Sequence, residues 1–167
     1  MKLIIRALFS LILPVTAAII IPFFLISNYN NHLLAFNSIL TGIMLIMGIL
    51  LIFFGLLFLI YTNKSFLKIG KGTLAPWDSP KELVVDGAYR YVRNPMISGI
   101  LMILLGETLI FALIELLLWF AVFFVVNHVY LIYGEEPGLI KRFGDNYREY
   151  MKNVPRWIPS LKPWIKN

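Results

Sequence analysis

Long apolar runs alternate with short polar stretches along this chain, and the lengths of the runs predict its elements. Apolar residues dominate 7–26, 38–61, 96–113 and 115–133. A helix needs about 20 such residues to cross a bilayer, so each run predicts a membrane-spanning helix, the last two being only just long enough. Pro14 and Pro22 interrupt the first run, a kink that neighbouring helices tolerate inside a bilayer. The connection around Ile114 is so short that the last two helices must form a tight antiparallel hairpin. Residues 62–94 carry Gly70, Gly72, Pro76 and Pro80, which predicts an irregular loop with one short extended piece at Leu83-Val84-Val85. Past residue 133, Pro137 suits the first turn of a new helix. There Leu139, Phe143, Tyr147, Tyr150 and Met151 recur at helical spacing. Gly144 weakens that helix and Pro155 and Pro159 end it, while Trp157 and Trp164 suit a membrane interface. The expected architecture is all-α and integral to the membrane: one domain over 1–167 with four spans, a C-terminal helical hairpin, a loop over 62–94 and a short helical tail over 134–167.

Charge sharpens this picture. All fifteen lysines and arginines fall before the first run, between the second and third, or after the fourth. With four spans they share one face, which the excess of Lys and Arg in cytoplasmic loops makes the cytoplasmic one; three or five spans would scatter them. Both termini are therefore expected in the cytoplasm. Lys2 and Arg6 ahead of an apolar stretch imitate a signal peptide, but the stretch exceeds the ~7–15 residues of a signal core, so a retained span is expected. Glu107 and Glu115 lie toward the far face. A carboxyl group in lipid is costly; Glu115, at a turn, reads as interfacial, and Glu107 as either a hydrogen-bonded structural residue or a functional one.

Composition excludes several classes. Of the 167 residues, 59% are hydrophobic and 14% charged, against about 25% charged in an ordinary soluble domain. With no cysteine there are no disulfides, thiolate metal sites or cysteine nucleophiles. His32 and His128 lack partners at ligand spacing, so no metal site is expected and both read as solvated or interfacial. The net charge of +6 flanks apolar runs instead of forming a basic domain, which points to anionic lipid and away from nucleic acid. Gly42 and Gly48 permit close helix packing without forming a strict Gly-x-x-x-Gly, leaving oligomeric state open.

Two polar segments carry more charge than an anchor needs. The first runs Leu83-Val84-Val85-Asp86-Gly87-Ala88-Tyr89-Arg90-Tyr91-Val92-Arg93-Asn94-Pro95-Met96-Ile97-Ser98-Gly99. The second starts at Glu135-Glu136 and continues through Phe143-Gly144-Asp145-Asn146-Tyr147-Arg148-Glu149-Tyr150 to Val154-Pro155-Arg156-Trp157-Ile158-Pro159. In this order, around a helical hairpin, they resemble the isoprenylcysteine carboxyl methyltransferase family and its phospholipid methyltransferase relatives, whose usual pattern is Gly-x-Tyr-x-x-x-Arg-His-Pro-x-Tyr-x-Gly. The similarity covers about 70–161. Asn94 stands in place of the usual histidine and Ile97 in place of the usual tyrosine. Asparagine still donates and accepts hydrogen bonds but does not titrate near neutral pH.

The resemblance implies an S-adenosylmethionine-dependent methyltransferase with its pocket at the cytoplasmic ends of the last two spans and in the tail. No Gly-x-Gly-x-x-Gly occurs, so a Rossmann domain is not expected. Cofactor contacts are implied at Leu83, Val84, Gly87, Tyr89, Arg93, Asn94, Pro95, Gly99, Glu135 and Glu136. Glu136 and Arg156 are implied as catalytic, and Trp77, Arg156 and Trp157 as acceptor-binding. The residue types suit the chemistry: carboxylates accept from an ammonium or ribose, Arg93 can hold a carboxylate, and Gly99 lets a ligand or a helix approach. Methyl transfer needs in-line alignment above all. A carboxylate acceptor needs no base; an amine or alcohol does, and Glu136, Glu82 and Glu107 are the candidates. The acceptor is a prenylcysteine carboxylate, a phospholipid amine or a small lipophilic molecule. Two other readings stand beside this one: an NADPH-dependent sterol- or steroid-type membrane reductase, since those enzymes carry a similar Tyr-x-x-x-Arg-His/Asn-Pro segment, and a non-enzymatic membrane module in which these charges only anchor the helix ends.

Overall fold

A proline inside a helix lacks the N–H that would bond four residues back, and its ring presses on that carbonyl. Two helices of this protein answer with the same device. A computed structural model of the chain describes residues 12–27, 38–65 and 82–165. Helix α1 (Ile12–Ser27) contains a π turn at Thr16–Ile20, ending two residues before Pro22. Helix α4 (Ile114–Phe143) contains another at Leu131–Glu135, ending two residues before Pro137. In each the N–H after the turn reaches back five residues, from Ile21 to Thr16 and from Glu136 to Leu131. In α1 the widened register leaves the Ala17 carbonyl facing Pro22, which has nothing to donate; the Trp119 indole supplies the bond at 2.9 Å.

The remaining elements are α2 (Ile39–Ser65), a 3-10 turn (Gly87–Arg90), α3 (Pro95–Phe111) and α5 (Asp145–Asn153). No strand forms among the described residues, and 83–85 is irregular. Two helices, α2 and α4, are long and apolar enough to cross a membrane; α1 and α3 are shorter apolar helices. Little of either long helix is buried within the protein, 11% of its most apolar stretch, so these are not core helices of a soluble fold. The expected separate helix after Pro137 is instead the continuation of α4. The π turn absorbs the proline, and the break comes seven residues later at Gly144, whose φ of 54° is left-handed.

The tight hairpin is present. Ala112, at φ 51°, closes α3 with its N–H on Thr108, and α4 starts at Ile114. Glu115 lies in the first turn of α4, where the helix dipole favours an acid. Helix α2 packs antiparallel on α3 through two glycine pairs. A Cβ on Gly106 would lie 2.6 Å from the Gly48 carbonyl oxygen, and one on Gly55 would lie 2.6 Å from that of Gly99. The apolar core beside this seam joins Ala17 and Ala18 of α1 to Ile100, Ile103 and Leu104 of α3, with Trp119, Phe120 and Phe123 of α4 against them. A second core lies outside the bundle, where Tyr147, Tyr150 and Val154 pack with Leu83, Val85, Leu139, Phe143 and Trp164.

Gly106→Ala forces backbone apart and is expected to cost about 1–3 kcal/mol, lowering the unfolding temperature in detergent. Gly138→Ala, with nothing within 4 Å of the new methyl, is expected to raise stability by about 0.5–1 kcal/mol through reduced chain entropy.

Candidate functional site

Five residues make about 500° of turn in an α-helix at 100° each, which would set positions 131 and 136 on different faces. The π turn changes this, because an i→i+5 bond stacks Glu136 over Leu131. Leu131 is fully buried, so Glu136 is carried onto the buried face. Without the extra residue, Glu136 would follow the exposed Val129 two turns later on the outer surface.

There two arginines meet it. Arg93 Nη1 donates to Glu136 Oε1 at 2.7 Å. Arg156 grips the same carboxylate with both ends of its fork, Nε to Oε1 and Nη2 to Oε2, each at 2.9 Å. The side chains are 10%, 7% and 22% exposed for Arg93, Glu136 and Arg156. The bond to Glu136 raises the Arg156 guanidinium further above its ordinary value. One Arg93 atom, Nε, is buried without a hydrogen-bond partner. No hydrogen bond or ion pair joins the neighbouring Glu135 carboxylate to another described residue, although its charge is felt at Tyr89 and Tyr147.

Backbone bonds dock the tail along the first polar segment. Arg93 N–H donates to the Pro155 carbonyl at 2.8 Å, Ser160 N–H to Tyr91 at 2.9 Å and Trp164 N–H to Arg90 at 2.9 Å. The Tyr150 hydroxyl donates to the Tyr89 carbonyl at 2.7 Å. Asn94 precedes α3 without capping it; its amide donates to the Arg156 carbonyl at 3.4 Å. Pro95 occupies the first turn of α3, where its missing N–H costs nothing.

Thus Arg93, Asn94, Pro95, Tyr89, Glu135, Glu136 and Arg156 come together. The other expected site residues lie elsewhere. Gly99 is pressed against Gly55 of α2, so its missing side chain serves helix packing. Leu83 belongs to the tail core and, with Val85, Asp86, Arg90, Phe143, Asn146, Trp164 and Ile165, lines an open groove of about 340 Å³. Val84 is buried. Gly87, at φ 55°, leaves room for the Tyr61 ring of α2. Trp157 turns to α4, donating its indole N–H to His128 Nδ1 at 3.0 Å and lying against Phe124. His128, expected to be solvated or interfacial, is half-buried and accepts this bond from Trp157. Trp77 and His32 lie outside the described residues. Tyr147 was not foreseen as part of the site. It is buried beside Glu136 and Arg93 on α5, and its i, i+3 spacing from Tyr150 was the signal available.

Burial first, and then the Glu136 charge, push the Tyr147 phenol from its ordinary 10.0 up to about 12, against the pull of the Arg93 guanidinium. A raised phenol favours folding while it holds its proton. Its contribution is full below pH 10 and is lost as pH climbs through 12. The wild-type minus Tyr147→Phe difference in 295 nm absorbance should show this phenol ionising near pH 12. Glu136→Ala strands two guanidiniums and is expected to cost about 3–5 kcal/mol in denaturant unfolding. Arg148→Gln, which removes the exposed pair with Asp145, should cost no more than about 1 kcal/mol.

Comparison with known proteins gives the arrangement its relatives. The family model for phospholipid methyltransferase matches residues 41–146, from α2 through the π turn to the start of α5. The methanethiol S-methyltransferase of Pseudomonas deceptionensis is 36% identical over 87 residues, covering 47% of this chain and 31% of that protein. The protein-S-isoprenylcysteine O-methyltransferase of Schizosaccharomyces pombe is 39% identical over 85 residues, covering 47% of this chain and 34% of that protein. The chain spans about a third of the length of these curated relatives. No solved structure matches it. With the family model covering more than half of its length, and with apolar helices around a charged joint between its two motifs, this chain belongs to the phospholipid methyltransferase family.

Proposed function

We propose that this protein is an integral-membrane methyltransferase that moves a methyl group from S-adenosylmethionine to a lipophilic acceptor. The observation that carries the reading is the Glu136 carboxylate held by Arg93 and Arg156, because it joins the two motif segments into one site at the polar ends of α3 and α4. In this reading α1 to α4 are the four spans. In the same reading the site and both termini face the cytoplasm, which the distribution of the basic residues along the sequence supports.

The residues fit the donor. Arg93 Nε is a buried donor without a partner, suited to the methionyl carboxylate. Glu135 offers an acceptor for the ammonium or a ribose hydroxyl, and Asn94 and Tyr89 border the same space. S-adenosylmethionine supplies a methyl group on a sulfonium that leaves as a neutral thioether. Glu136 already accepts three charged hydrogen bonds; its work is to position the two arginines. Arg156, the most exposed of the three, is the group placed to meet the acceptor, with Trp77 and Trp157 as further acceptor contacts.

The charges of Arg93 and Arg156 are balanced by those of Glu135 and Glu136, so the sulfonium donor brings one net positive charge to the site when bound. That draws an anionic acceptor better than a protonated amine, so a carboxylate or thiolate on a lipophilic body is the favoured class. One named relative is a methanethiol S-methyltransferase and the other a protein-S-isoprenylcysteine O-methyltransferase, so sulfur and oxygen acceptors both fall within this reading. A carboxylate acceptor makes no call on Glu82, Glu107 or Glu136 as a base. The reductase alternative gains no support, because the matched family is one of methyltransferases.

The test is binding followed by turnover in lipid nanodiscs. S-adenosylhomocysteine at 100 times its dissociation constant should stabilise the protein by about 2.7 kcal/mol, with no comparable effect of NADPH. Methyl label should pass from S-adenosylmethionine into membrane extract. Arg156→Gln should cut the rate about 10- to 150-fold, the worth of a charged hydrogen bond. Absence of S-adenosylhomocysteine binding in both detergent and lipid would overturn the assignment.

A further inference from the structure

Beyond Arg156 the chain does something a surface tail does not ordinarily do. Ile158, Leu161 and Ile165 are 80%, 100% and 65% exposed, three large aliphatic side chains left open within eight residues, the last of them at the rim of the groove. The backbone that carries them is held in place. Ser160 bonds the Tyr91 carbonyl through its N–H and through its hydroxyl, at 2.9 and 3.2 Å. Trp164 bonds Arg90 through its N–H and lays its ring on Tyr150, centroids 5.7 Å apart. The exposed aliphatics are thus a fixed ridge.

The location of that ridge is set by Trp157. Its ring lies 5.2 Å from Phe124 and 6.0 Å from His128, and these precede Glu136 on α4 by twelve and eight residues. Trp157 therefore lies beside the apolar stretch of α4 that precedes the charged joint. Val125, Val126 and Val129, on the neighbouring faces of the same stretch of α4, are exposed as well, so the helix that Trp157 packs on is apolar on its open sides. The chemistry of the ridge is that of a bilayer boundary: no acidic residue occurs between Val154 and Ile165, Lys162 sits between Leu161 and Ile165, and Trp157 and Trp164 directly precede Ile158 and Ile165.

We propose that the Ile158–Leu161–Ile165 ridge is a lipid-embedded lip, seated at the headgroup–acyl boundary of an anionic leaflet, that fixes the depth of the Arg93–Glu136–Arg156 joint at the edge of the hydrocarbon. Arg156 and Trp157 begin the same strap, so the ridge sets where an acceptor lying in the leaflet meets the site. The inference rests on the membrane placement proposed above, and it adds a surface and a partner, the lipid leaflet, to that reading.

The chain has no cysteine, so single-cysteine variants take one spin label each. Leu161→Cys and Ile158→Cys, at exposed positions, are compared with Glu149→Cys, which is exposed on α5. All three are labelled with a nitroxide in the full chain, in vesicles of phosphatidylcholine and phosphatidylglycerol. The expected result is a ratio of oxygen to nickel-chelate accessibility several-fold higher at positions 158 and 161 than at 149. Equal ratios at all three sites would place the ridge in water and overturn the proposal. Shielding of 161 from both reagents, with dipolar broadening between labels, would assign the ridge to a second copy of the chain and overturn it equally. Depth is read without donor or acceptor, so a failed methyl-transfer assay and a water-exposed ridge remain separate results.

Discussion

The structure depends on where one carboxylate points. Glu136 sits past the apolar stretch of α4, and in regular α geometry it would follow Val129 onto the outer surface. The π turn at Leu131–Glu135 carries it inward, over the fully buried Leu131. Pro137 is the physical cause, because its ring and its missing N–H make the preceding turn widen. Once Glu136 is inside, an isolated charge there would be very costly. The two arginines are what make the position tenable, and they come from segments 43 and 20 residues away in the chain. Proline, π turn and ion cluster form one chain of cause from local geometry to the assembly of the site.

Such a cluster is a weak source of net stability, since desolvating three charges offsets most of their attraction. Its consequence is registration. With Glu136 gripped in bidentate fashion by Arg156, the tail cannot slide along the 89–93 segment without breaking charged hydrogen bonds and the backbone bonds at Arg93, Tyr91 and Arg90 together. The second apolar core around Tyr147, Tyr150 and Val154 backs this docking from the side away from the bundle. The site is thus held by two independent packings, a glycine seam between α2 and α3 below it and an aromatic cluster beside it.

Much of this was legible in the chain. Run lengths located the helices, the short connection at Ile114 gave the hairpin, and the two polar segments carried the residues that now touch. What escaped was whatever depends on a partner distant in sequence or on a small change of helical pitch. The break after Tyr133 was expected because apolarity stops there, yet the backbone continues to Phe143, since hydrogen bonding in a helix does not depend on side-chain polarity. Gly99 fits a ligand approach and a helix approach equally well by residue type, and the helix approach became visible only with the position of Gly55 on α2. His128 and Trp157 are 29 residues apart with no periodic pattern linking them. Glu136 was expected among the site residues, but its saturation by three donors is a three-dimensional fact.

Asn94 shows how the geometry bears on the chemistry. The family pattern has histidine there, and a histidine could carry a proton. Asparagine cannot, and here its amide instead reaches the carbonyl of Arg156, the residue that grips Glu136. The position therefore helps to hold the tail against the start of α3. A methyl group leaving a sulfonium needs alignment and a dry, charged cradle, and the departing thioether is neutral, so no proton has to follow it. An acceptor that arrives already as an anion asks for no base either. With such an acceptor, the proposed transfer makes no call on a titratable group at 94, and what it asks of this segment is the fixed geometry of Arg93, Glu136 and Arg156.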